Sequence, residues 1–256
     1  MKFYPGFEIG FNRRAHEFEY GEGVFGPQTE IRRLDDIRAS LENPGSSGPS
    51  ILYCIAMDIG NELDRKAMLT RNLLFGAVWY AEGTIGEEPV RSQGHVHAIS
   101  PSCNSSTCEV YEIWDGEACI YMQQYDGDEP GRCIAVHAGP GDVVVVPPGW
   151  VHATVNADPE RSMMFGAWCV RDYGFDYRGV REHGGIAYFP VMRDGSLYWK
   201  RNERYSASLF MECRSREYPE LGIKKGIPIY RQFQTDPDSF LFVSNPNLAN
   251  EIWRRA

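Results

Sequence analysis

Two histidines one residue apart, in Gly94-His95-Val96-His97, are the first place where this 256-residue chain could do chemistry. Residues two apart on a strand project to the same face, so His95 and His97 would present two imidazoles to one side, a common start for a metal site. A carboxylate follows on the next expected strand, in Glu109-Val110-Tyr111, with six residues between Glu109 and Gly116. Tyr111 shares the face of Glu109 by the same alternation. Glu112 takes the opposite face and would need a bulge to reach the histidines. The most specific block runs from Gly141 to Asn156, where Gly-x5-Pro-x-Gly-x2-His-x3-Asn is matched at every fixed position. A Gly-Asp turn opens an apolar strand, Pro147 and Gly149 make the corner, and His152 begins the return strand pointing inward.

Strands are needed to hold such groups, and residues 73–170 supply the pattern. Runs rich in Val, Ile, Tyr and Trp at 73–80, 109–114, 119–125, 133–137, 143–147, 152–156 and 163–170 alternate with Gly, Pro and Asp turns. Several short strands at this spacing indicate an all-β sandwich or barrel. A further strand is expected at 51–57. Residues 29–41 carry Ile31, Leu34, Ile37 and Leu41 at steps of three and four, which predicts an amphipathic helix. A turn-rich loop follows at 42–50, and 64–72 reads as a short helix or a loop. Gly195 sits in a hairpin turn between 188–192 and 197–200. A strand is expected at 205–215 and a terminal helix at 247–255.

Composition excludes some functions. Hydrophobic content is 43%, charged content 24% and net charge −9, which is ordinary for a soluble protein and opposite in sign to a phosphate-backbone binder. No apolar run approaches the length of a membrane span, and Met1-Lys2-Phe3-Tyr4-Pro5 has no secretory core, so a cytoplasmic location is expected without membrane or nucleic-acid partners. The seven cysteines are scattered, as free thiols usually are. Cys103 and Cys108 lie in a polar stretch and read as loop cysteines, with a redox pair or soft metal site as the sharper alternative.

The two blocks around His95 and His152 resemble the paired signatures of the cupin superfamily, a jelly-roll β-barrel. The resemblance implies one divalent metal ion held by His95, His97, Glu109 and His152. Such a mixed nitrogen and oxygen set suits Fe(II), Mn(II), Ni(II) or Zn(II), and four ligands around an octahedral ion leave two positions for adjacent substrate oxygens. The first block departs from the pattern: eleven residues separate His97 from Glu109, and Pro89 stands where a glycine is usual. The resemblance implies one domain over 1–256, with an N-terminal arm to 50, a barrel over 51–200 and an extension over 201–256.

Within that superfamily the chain is similar to the cupin-type glucose-6-phosphate isomerases. Gly94-His95-Val96-His97, Glu109-Val110-Tyr111, the stretch from Pro147 to Asn156 and Asp176-Tyr177 carry the likeness. Ile31 to Asp36, Tyr218 to Gly222 and Pro228-Ile229-Tyr230 extend it. It implies interconversion of glucose 6-phosphate and fructose 6-phosphate by a homodimer. Glu109 would be ligand, carbon base or both, with a direct hydride shift as the other route. Tyr111, Tyr53 and Tyr177 would contact substrate, and the phosphate would lie near Ser92 and Gly94 with Arg91 assisting. Three positions depart from the family: Val78 replaces a threonine, Trp168 a tyrosine and Phe175 a histidine. These changes predict a more apolar pocket. They leave open a cupin oxygenase or other enzyme for an apolar metabolite, lined by Trp79, Trp114, Trp150, Trp168 and Phe175, and a non-catalytic sugar-binding cupin.

Overall fold

The computed structural model describes residues 3–254. Two sheets face one another, in keeping with a jelly roll. The larger has six antiparallel strands in the order Val143–Val146, Glu109–Asp115, Met163–Val170, Leu73–Tyr80, Ile51–Met57 and Glu30–Arg33. The smaller runs Val151–Asn156, Ala118–Gln123, Cys133–Ala138 and Phe210–Arg214, antiparallel except for the last pair. Outside the named strands, His95 pairs with His152 and Arg91 with Val155, along the edge strand of the smaller sheet.

Strand parity sorts the side chains. On the inner face of the larger sheet, Tyr111, Ile113, Val144, Phe165 and Ala167 meet Ile120, Met122 and Val136 from the smaller sheet. On the outer face, Phe75, Trp114 and Trp168 pack under the C-terminal segment, against Tyr230, Phe233 and Phe240. The smaller sheet is backed in turn by Ile186, Ala187 and Tyr205. Both faces of the larger sheet are buried, which explains why Met163–Val170 reads as a continuous apolar run.

The expected strands between 51 and 170 all form, with ends shifted by a residue or two at most. Residues 65–70 of the ambiguous charged stretch are helical. The hairpin pairs Tyr188–Arg193 with Ser196–Arg201 through Asp194 and Gly195, both at positive φ (49° and 73°), as a two-residue loop of this handedness requires.

Three expectations are corrected. The helix over 29–41 is a strand, Glu30–Arg33, followed by a one-turn helix, Leu34–Ile37, and a 3-10 turn. Pairing with Ile51–Met57 outweighs helical periodicity, because that neighbour would otherwise leave its edge groups without partners, and the charged Glu30, Arg32 and Arg33 suit an exposed edge. The strand over 205–215 is confined to Phe210–Arg214, since the Tyr205 ring turns inward to stack on His183 and its hydroxyl donates to Gly185 O. The terminal helix is a 3-10 turn at Pro246–Ala249 and a helical turn at Asn250–Trp253, while Arg255 lies outside the described residues.

Candidate metal centre

His95, His97, Glu109 and His152 converge. Each offers one ligand atom, and these atoms lie within 4.8 Å of one another. The convergence is built by strand geometry. His95 pairs with His152 at the edge of the smaller sheet, His97 lies on a short strand paired with Phe175–Asp176, and Glu109 opens a strand of the larger sheet. Glu109 Oε2 is 3.2 Å from His97 Nε2 and 3.4 Å from His152 Nε2.

Backbone carbonyls set the orientation of two rings. His97 Nδ1 donates to Thr107 O at 2.9 Å, and His152 Nδ1 donates to Trp150 O at 3.2 Å. The inserted loop between His97 and Glu109 therefore supplies an orienting carbonyl. With the ring proton on Nδ1, each Nε2 turns a lone pair toward the Glu109 carboxylate. The Nε2 atoms of His95, His97 and His152 are buried without a hydrogen-bond partner. Three buried lone pairs facing a carboxylate repel one another unless a cation lies among them, so this donor set fits a metal ion.

The electrostatics agree. Burial first, then the neighbouring imidazoles, hold His95 well below the usual histidine range. Burial also lowers His152, against the opposing pull of Glu109. Burial alone would raise Glu109, yet the contacts with His152 and His97 hold it well below the usual carboxylate range. Its remaining capacity is filled by Tyr111, whose hydroxyl donates to Oε2 at 2.8 Å, and by Cys169, whose thiol donates to Oε1 at 2.8 Å. Cys169 was not singled out from sequence, although its place on an apolar strand near a carboxylate is set by the same alternation.

The centre opens into a cavity of about 240 Å³. Tyr53, Ser92, His95, Glu109, Tyr111, His152 and Tyr177 line it. His97 sits behind these groups. Gly94 is not among the lining residues: at φ +90° it packs where a Cβ would come within 2.7 Å of the Ile186 side chain. Ser92 Oγ accepts from Thr154 N at 3.0 Å. Arg91 is wholly buried, bound to Glu88 at 2.6 Å and donating to Ser92 O and Ser40 O, and so buttresses the segment rather than facing the cavity.

The apolar pocket of five aromatics is also corrected. Val78 and Phe175 line the cavity, and the Phe175 ring lies 4.3 Å from His95. Trp79, Trp114 and Trp168 belong to the outer face, and Trp150 packs in the core beside Arg132. Glu112 likewise faces outward, because the bulge in its strand falls after it, between Ile113 and Asp115. Cys103 donates to Ser105 O and Cys108 to Phe242 O, and neither joins the metal-binding group. Sequence reading missed Arg32 and Glu30, which also line the cavity, because helical periodicity hid their strand alternation. No helix among the described residues is long and apolar enough to cross a membrane.

The model of the family described as Glucose-6-phosphate isomerase (GPI) matches residues 47–208. The glucose-6-phosphate isomerase of Pyrococcus abyssi is 33% identical over 196 residues, 74% of this chain and 95% of that protein. That of Pyrococcus furiosus is 34% identical over 175 residues, 66% of this chain and 83% of that protein. Against the glucose-6-phosphate isomerase of Sinorhizobium medicae, identity is 28% over 135 residues, 53% of this chain, and the match spans 58% of that protein's length. The residues that the family model matches include all four convergent ligands. The chain belongs to the glucose-6-phosphate isomerase (GPI) family.

Proposed function

We propose that the protein is a metal-dependent aldose-ketose isomerase that interconverts glucose 6-phosphate and fructose 6-phosphate. The observation that carries this reading is the placement of three imidazoles with buried, orphaned Nε2 atoms around Glu109, at the inner end of a cavity that also presents tyrosine and serine hydroxyls. Family membership supports the substrate. The same resemblance supports a homodimer and a cytoplasmic location.

His95, His97, Glu109 and His152 would hold one divalent ion, with Fe(II), Mn(II), Ni(II) and Zn(II) all suited to the donor set. That ion would supply a Lewis acid for the two adjacent oxygens between which the sugar exchanges its carbonyl. The protein groups do the rest. Glu109, the carboxylate at this end of the cavity, would move the proton between C1 and C2. Burial and the Glu109 charge hold Tyr111 well above the usual phenol range, so it remains a neutral donor that orients that carboxylate. Phe175 covers His95 and helps to exclude water. Four of the five aromatics expected to form an apolar wall face elsewhere, and the cavity sets the hydroxyls of Tyr53, Tyr80, Ser92 and Tyr177 beside Ile55, Met57, Val78 and Phe175.

The test is turnover after anaerobic loading of metal-free protein with each of the four ions, with His152→Ala as control. Metal-dependent conversion of fructose 6-phosphate that disappears in the variant is the expected result. Tight binding of metal without turnover of this sugar would overturn the substrate. Solvent deuterium in the product marks the proton route through Glu109, and its absence marks a direct hydride shift.

A further inference from the structure

The cavity has a second end. Arg32, on the edge strand, pairs in register with Tyr53 on its neighbour, so their side chains share the inner face, and both line the cavity. Tyr177 lines it too, and the charge of Arg32 acts on both phenols. Arg32 is the one Lys or Arg among the described residues that lines this cavity. The nearby Arg91 is committed to buried Glu88. Arg181 lies over the Tyr177 ring at 5.0 Å and donates to Gln93 at 2.9 Å, holding the wall from behind.

Arg32 has a resident partner, Glu30, at 2.6 Å and two residues away on the same strand. The Glu30 side chain is 55% exposed, against 26% for Arg32. An ion pair of that exposure is weak, and an incoming oxyanion able to take two guanidinium hydrogen bonds can displace it.

We propose that Arg32 is the specificity-determining cation for an anionic substrate group, and that Glu30 is its internal competitor. Resting on the sugar-phosphate reading, this assigns the phosphate to the wall of Arg32, Tyr53 and Tyr177. In a chain of net charge −9, a dianion needs a local cation where it docks. The Arg32–Glu30 pair keeps that cation compensated until the substrate arrives.

Calorimetric binding to the metal-loaded protein tests it, with fructose 6-phosphate, inorganic phosphate and fructose as separate probes. Arg32→Gln is expected to weaken the two phosphate-bearing probes by roughly tenfold to a hundredfold and to leave fructose unchanged. Arg32→Lys, which keeps the charge, should recover part of that loss. Glu30→Gln should tighten both phosphate probes by roughly threefold to tenfold. Unchanged phosphate binding in Arg32→Gln, or equal losses for fructose and fructose 6-phosphate, would overturn the proposal. So would wild-type protein that binds neither phosphate probe. Phosphate binding that follows Arg32 without any isomerisation would uphold the subsite and sink the isomerase reading. Isomerisation with a KM indifferent to Arg32 would do the reverse.

Discussion

The strand Glu109–Asp115 carries two buried glutamates three residues apart, and the two faces of its sheet treat them in opposite ways. Glu109 points inward and meets His97, His152, Tyr111 and Cys169, and the imidazoles hold its carboxyl well below the usual range despite burial. Glu112 points outward into the aromatic layer. Burial pushes it up to about 7, against donors from Ile229 N at 2.9 Å and Trp114 Nε1 at 3.1 Å. Both are desolvated, so burial does not separate them. The difference is what meets the carboxylate: imidazole nitrogens on the inner face, a backbone and an indole N–H on the outer. The inner face is therefore organised to receive a cation. The outer face uses its carboxyl to satisfy the backbone of the segment that covers it.

Substitutions that separate the two faces sharpen this contrast. Removing an inner ligand has the largest expected effect. His97→Ala should lower metal affinity by more than about 100-fold, beyond what loss of an outer hydrogen-bond partner delivers, as read by titration with Mn(II) or Fe(II). The protein should stay folded by circular dichroism. A variant that binds metal as tightly as wild type would break the assignment of the centre. On the outer face, Trp168→Ala should cost about 3–5 kcal/mol of unfolding free energy in urea while metal stoichiometry persists, because the ring is wholly buried against Tyr230, Phe233 and Phe240. Equal losses of stability and metal affinity there would mean that the faces are not separable.

Glu112 gives a pH signature of the same contrast. Its carboxyl titrates near pH 7 when folded and near pH 4 when unfolded, so the folded state holds the extra proton between these values. Its contribution to stability is fully present below about pH 4 and is lost as pH rises through about 7, amounting to about 4 kcal/mol. Glu112→Gln should flatten that part of the stability profile, measured by denaturant melts from pH 4.5 to 8. A profile identical to wild type would remove Glu112 from the account. The smallest effect is expected at Cys169→Ala, which deletes one donor to Glu109. Metal affinity should fall by roughly tenfold with little change in melting temperature, and an unchanged affinity would leave the thiol as packing alone.

Much of the site was legible from spacing. The His95 and His97 pair, the inward Glu109 with Tyr111, and the turn that delivers His152 all follow from period-two alternation and turn residues, and the described centre brings them together. The same rule separated Glu109 from Glu112. Local reading failed where a partner strand decided the outcome. Ile31, Leu34, Ile37 and Leu41 satisfy a helical period, yet residues 30–33 complete the edge of a sheet. That exchange carried Arg32 and Glu30 into the cavity unannounced. Large aromatics were misplaced for a related reason: composition locates Trp79, Trp114 and Trp168 in a core but does not say which of two cores.

The sequence by itself determined the donor types, their alternation along each strand and the turns between strands, since these depend on residues close in the chain. The tertiary structure alone decided which faces meet: that the C-terminal segment seals the outer face, that Gly94 packs on Ile186, and that Arg32 stands opposite Tyr53. Strand pairing and sheet packing join residues far apart in sequence, and their free energy outweighs the weak local preference of any one segment.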